Sequence, residues 1–126
     1  MINSGGLSVK IDDDEVLLKW LLTHWNGFLD WDENNIHKLL KHKVTVEEVE
    51  SIFDGDIAVI GRIIAPEGID FGETRYLVLG MVLDKRHFAI VCTIRYKSKK
   101  LRPISCRRMR KNEEEAYEET KKIRLR

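Results

Sequence analysis

At Gly55 the spacing of the apolar side chains changes. Before it they recur at three and four residues: Ile36, Leu39 and Leu40, then Val46, Val49, Ile52 and Phe53, the stripe of an amphipathic helix. After it they alternate or run in blocks of strand length, over residues 57–65, 75–83, 88–95 and 101–106. Residues 110–125 return to a helical pattern with acids early and bases late, the order a helix dipole favours. The prediction is an α+β domain: N-terminal helices, a sheet of about four antiparallel strands, and a C-terminal helix, with the helices on one sheet face.

The boundaries carry their own signals. Residues 1–11 are small and polar and read as a loose tail. The acids Asp12–Glu15 precede Val16, Leu17, Leu18, Trp20, Leu21 and Leu22, so a helix is expected over about 13–24, ending near Asn26-Gly27. Its apolar surface is too wide for a lone surface helix, and the domain, a second copy or a partner must cover it. Asp32 reads as an N-cap, and Thr45 with Glu48 as a capping box. Asp84-Lys85-Arg86 and residues 97–100 suit hairpin turns. The last helix has few apolar residues (Ala116, Tyr117, Ile123, Leu125) and is expected to lie lightly on the surface.

The 126 residues fit one domain. No apolar run approaches the roughly 18 residues of a membrane span. Residues 1–6 lack the basic patch and apolar core of a signal peptide. Two cysteines, Cys92 and Cys106, make no disulfide framework, so a reducing cytoplasm is expected. Both sit in apolar strand context and read as small buried hydrophobes. The formal charge of +1 conceals an asymmetry: residues 1–84 hold 7 Lys/Arg against 16 Asp/Glu, whereas residues 85–126 hold 15 against 5. Either the basic half binds a polyanion or an acidic partner, or folding interleaves the halves; charge alone does not choose.

Among chemical motifs, the four histidines lack metal-ligand spacing, and no Gly-rich phosphate loop or serine elbow is present. No metal and no cofactor are expected. The informative segment is Arg102-Pro-Ile-Ser-Cys-Arg107-Arg108, with basic groups at a strand end beside a helix start, a phosphate-sized arrangement. Solvated strand-end arginines are the plainer reading. Glu73 with Arg75 enters another strand, as part of a site or as a cross-strand ion pair. Lys41-His42-Lys43 closes a helix, where it could bind phosphate or simply compensate the dipole.

Three separated blocks resemble the BrnT-like toxins. Trp31-Asp32-Glu33-x-Asn35-Ile36-x-Lys38-x-x-Lys41-His42-x-Val44-Thr45-x-Glu47-Glu48 is similar to the family's N-terminal signature. Arg75-Tyr76-Leu77-Val78-x-Gly80 is similar to its second strand block. Arg102 to Met109, followed by Glu113 to Tyr117, is similar to its closing segment. The likeness runs from about Phe28 to Glu119, so residues 28–126 are expected to form the toxin domain and residues 1–27 a tail plus an extra helix. Three departures stand out. Lys38 replaces a histidine common in one subgroup, Lys43 a glycine after Lys/Arg-His, and Cys106 an alanine.

The resemblance implies a RelE-like fold and a type II toxin that cleaves RNA without a metal. Its implied partners are RNA and a DNA-binding, BrnA-like antitoxin, and the first helix could build a homodimer. In the reading that follows, Arg107, Arg102 and Arg75 contact phosphate, since a guanidinium fork fits phosphate oxygens and stays charged. His42 or Glu73 is the base, with His42 also eligible as acid. Lys41, Lys38, Arg108 and Tyr117 contact RNA. The runner-up is an interaction module on the same fold that binds an antitoxin or nucleic acid without turnover.

Overall fold

Asp32 and Thr45 start their helices as the sequence predicts. The structure, a computed structural model, describes residues 10–125. α1 spans Val16–Thr23, α2 Glu33–Leu40, α3 Val46–Asp54 and α4 Lys111–Glu119. Asp32 Oδ1 accepts from the backbone N–H groups of Asn34 and Asn35, and Asn35 Oδ1 accepts from the Asp32 N–H in return. Thr45 and Glu48 exchange the same pair of bonds at α3. These satisfy N–H groups that a helix start leaves orphaned.

α2 stops by the opposite device. The Val44 N–H returns to the Leu39 carbonyl and the Lys43 N–H to that of Leu40, with Lys43 at φ 53°. That is a Schellman turn, and Leu39 and Val44 pack in one core. It is a turn that glycine fits without strain, and here lysine occupies it.

Six strands form one antiparallel sheet: β1 (Lys10–Asp12), β2 (Asp56–Ile64), β3 (Tyr76–Met81), β4 (His87–Arg95), β5 (Lys100–Arg108) and β6 (Ile123–Arg124). The spatial order is β1-β2-β3-β4-β5, with β6 on the other end of β2. Four differences from the sequence reading have physical causes. Lys10–Asp12 is a strand, because it meets the far end of the long β2 and Arg62 pairs with Asp12 at 2.6 Å; residues 1–9 of the expected tail lie outside the described residues. Gly61, at φ +153°, lets β1 cross there: a Cβ would stand 2.2 Å from the Asp12 carbonyl oxygen. The last helix ends at Glu119, and Ile123–Arg124 instead pairs with Asp56 and Ile57. α4 also leaves the shared helical face. α1, α2 and α3 cover Val78, Phe88, Ile90, Leu101 and Cys106, whereas α4 covers Leu77, Leu79 and Ala89 on the reverse. Nor is α4 lightly held: Glu113 is fully buried and Tyr117 is 3% exposed.

The domain itself covers α1. Leu17, Trp20 and Leu21 are buried in the same core as the sheet. Cys92 and Cys106 are free and fully buried. Burial raises both thiols, that of Cys106 to about 12.

Candidate functional site

Three of the sequence-predicted residues meet at one end of the sheet. Glu73 lies just before β3, with its carboxylate 3.6 Å from Arg75 Nε and 3.3 Å from Arg95 Nη1. Arg95 Nε is 3.6 Å from Asp30, and Asp30 is 3.5 Å from Arg102 Nη1. Arg102 Nη2 reaches Asp32 at 2.9 Å. The result is an alternating row: Asp32, Arg102, Asp30, Arg95, Glu73, Arg75. The ladder assembles it, because Arg102 sits opposite Thr93 in the β4–β5 register and Arg95 follows two residues later on the same face. Thr93 Oγ1 donates to the Thr74 carbonyl at 2.7 Å and ties the Glu73 segment to β4. Beside the row is a cavity of about 210 Å³ lined by Glu73, Thr93, Arg95 and Tyr96.

The electrostatics of the row are those of matched charges. The Arg102 hydrogen bond, then the Asn35 backbone N–H, hold the Asp32 carboxyl below its ordinary value. Asp32 in turn raises Arg102, whose side chain is 14% exposed. The Arg75 guanidinium stacks 4.4 Å over the Phe71 ring, and its Nε makes no hydrogen bond.

Arg107 stands elsewhere. It pairs opposite Ala89, four β4 residues from Thr93, or about 13 Å at strand rise. Its fork donates to both Glu113 oxygens at 2.6 and 2.8 Å, and to the Arg108 carbonyl at 3.2 Å. It therefore anchors α4. Burial alone would raise the Glu113 carboxyl; the bonds from Arg107 and from the Arg110 N–H outweigh it and hold the group low. Tyr117 donates its hydroxyl to the Asp56 carbonyl at 2.9 Å and packs inside, and burial raises that phenol.

Lys38 lies in the last turn of α2, Lys41 is its C-cap, and His42 stands in the turn that follows. Asp32 starts that helix beside Arg102, so the helix end lies about 12 Å further along. Lys38 and Lys41 have no carboxylate partner among the described residues, and neither has Arg108, whose guanidinium lies 5.7 Å from the Phe88 ring centre. The structure thus divides the predicted residues into a matched row (Arg102, Arg75, Glu73), an anchor (Arg107, Tyr117) and a set with no carboxylate partner among the described residues (Lys38, Lys41, His42, Arg108).

Sequence reasoning missed Arg95 and Asp30, which link Glu73 to Arg102. Alternation from Thr93 puts Arg95 on the right strand face, a usable signal. Only the register shows what it meets.

A family model described as ribonuclease toxin, BrnT, of type II toxin–antitoxin system matches residues 31–113. Comparisons with curated proteins and with solved structures returned no match.

Proposed function

The chain belongs to the BrnT family of ribonuclease toxins of type II toxin–antitoxin systems, and on that premise we propose that it cuts RNA without a metal at the Glu73–Arg75–Arg95–Arg102 row. The supporting observation is Glu73 held within 3.6 Å of two guanidiniums, beside an open cavity, with a third guanidinium one carboxylate further on.

In this reading the Glu73 carboxylate takes the proton of a ribose 2′-OH. The 2′-oxygen attacks the adjacent phosphorus, the bond from phosphorus to the 5′-oxygen breaks, and water protonates the leaving oxygen. The products are a 2′,3′-cyclic phosphate and a 5′-OH. Arg75, Arg95 and Arg102 stabilise the charge that grows on phosphorus-bound oxygens, the larger effect in most such sites. A phosphate entering the row takes guanidinium bonds now held by Asp30. Tyr96, 63% exposed at the cavity, offers a ring for a base to stack on. His42 and the lysines of α2 guide the strand rather than move protons, since they stand a helix length away. Arg107 acts through Glu113 by holding α4. The work is cytoplasmic, and the partner is a DNA-binding, BrnA-like antitoxin.

The matched charges favour one second reading: a row already neutralised by its own carboxylates can serve as structure, leaving a toxin fold that binds without turnover. Purified protein, incubated with RNA in excess EDTA, separates the two. Cyclic-phosphate ends that vanish in Glu73→Gln and Arg102→Ala support the ribonuclease row. Intact RNA with the parent protein supports the binding module.

A further inference from the structure

We propose that the turn between β4 and β5 is a second binding subsite, for the single-stranded RNA that runs on beyond the cut bond, and that residues 20–28 brace it. The ligand class rests on the ribonuclease reading, but the subsite is separate from the groups that do the chemistry there.

Residues 95–102 read Arg-Tyr-Lys-Ser-Lys-Lys-Leu-Arg, five cations and no acid. Arg95 and Arg102 are matched by Asp30, Glu73 and Asp32. Lys97, Lys99 and Lys100 have no carboxylate partner among the described residues. Lys100 pairs opposite Arg95 in the ladder, so the two side chains leave the same face of the sheet about 5 Å apart. Lys97 and Lys99 stand further out, in the turn that joins these two paired residues. Tyr96 marks the border: it lines the cavity with Glu73 and Arg95, and it is largely exposed. An open aromatic ring beside unneutralised cations is how single strands are held, the ring stacking on a base and the cations meeting phosphates. An acidic peptide would use the lysines and leave the ring idle, so the pair favours RNA.

Surface turns are ordinarily mobile, and ordering one on binding costs affinity. This turn is held in advance. The Asn26 backbone N–H donates to the Lys99 carbonyl at 2.9 Å, and Asn26 Nδ2 donates to the Ser98 carbonyl at 3.1 Å. Asn26 Oδ1 accepts from the Phe28 N–H, and the Phe28 carbonyl accepts from the Leu101 N–H and from Trp25 Nε1. The buried Trp20 meets the Tyr96 ring at 6.3 Å and 73°, which fixes that ring from one side. Trp20, Trp25, Asn26 and Phe28 all precede residues 31–113, the stretch that matches the family. The preceding segment therefore reaches the candidate site through this turn.

The test uses decauridine methylated at every 2′-oxygen, which keeps bases and phosphates but cannot be cut by 2′-attack. The dinucleotide of the same chemistry reaches the row alone. Titrations over a range of salt give affinity and its salt slope. In Lys97→Gln/Lys99→Gln the slope for the decamer should fall by about 1.4, at about 0.7 per phosphate contact on a single strand, with dinucleotide binding unchanged. Tyr96→Ala should weaken the decamer roughly tenfold, and Tyr96→Phe should not. Asn26→Ala should weaken it about threefold with the slope unchanged, since it loosens the turn and removes no charge. An unchanged slope in the double-lysine variant, equal losses for decamer and dinucleotide, or Asn26→Ala that binds like the parent overturns the proposal. So does an acidic octapeptide, (Glu-Thr)4, whose binding needs the two lysines when that of the decamer does not, which makes the turn a protein-docking surface. Cleavage is read separately on unmethylated decauridine: if the parent leaves that RNA intact yet holds the methylated decamer through the turn, the ribonuclease row fails and the subsite stands.

Discussion

Arg102 and Arg107 are the same residue type on one strand, five residues apart, and the structure gives them different work. Arg102 joins a row that leads through Glu73 to Arg75, whereas Arg107 is spent on a buried carboxylate. We therefore expect Arg102→Ala to lower cleavage by about 10²–10³-fold, the usual loss for one preorganised charge contact, with little change in melting temperature. Arg107→Ala should do the reverse, destabilising by roughly 2–4 kcal/mol because it strands Glu113 inside; cleavage rates corrected for the folded fraction distinguish the two. Lys43 is a second residue-scale case. Lysine at φ 53° is strained where glycine is not, so Lys43→Gly should raise stability by roughly 0.5–1 kcal/mol in urea titration.

Among the elements, α4 is docked through the buried Glu113 carboxylate and the Tyr117 phenol, and its docking should depend on pH. The folded Glu113 carboxyl lies below its ordinary value of 4.5. A group with a depressed folded pKa contributes stability fully above the unfolded value, and loses it as the pH falls through the folded one. Stability measured from pH 7 downward should therefore begin to drop near 4.5. In Glu113→Gln that acid limb should be shallower, from a lower plateau. β1 depends on a missing atom instead. Gly61→Ala puts a methyl against the Asp12 carbonyl, costs roughly 1–3 kcal/mol by overpacking, and should speed amide exchange over residues 10–12 most.

Over the whole molecule, part of the opposed charge of the two halves is spent between them. Arg86 pairs with Glu48, Arg102 with Asp30 and Asp32, and Arg124 with Asp56, each from the basic half to the acidic half. The segment before Phe28 is likewise part of the whole. Leu17, Trp20 and Leu21 are core residues, and at about 1.5–3 kcal/mol each their loss rivals the 5–15 kcal/mol stability of an entire domain. A chain beginning at Phe28 should show no cooperative thermal transition by circular dichroism.

Sequence periodicity by itself determined the helices and the four long strands, because a 3.6 or a 2 repeat is written in consecutive residues. The caps at Asp32 and Thr45 and the turn at Lys43 were legible for the same reason: their bonds span three to five residues. The family blocks, too, are local strings. β1, β6 and the position of α4 were not legible, since two or three residues carry no period and pair only with a strand some fifty to seventy residues away. The candidate site divides along the same line. Glu73, Arg75 and Arg102 announce themselves as residue types, but their company with Arg95 and Asp30 depends on strand register. Register is set by which faces bury and where the bulge at Val91/Cys92 falls. Only tertiary structure decided that Arg107 anchors a helix while Arg108 has no acid partner among the described residues, because charge pairing is a matter of distance in space and not along the chain.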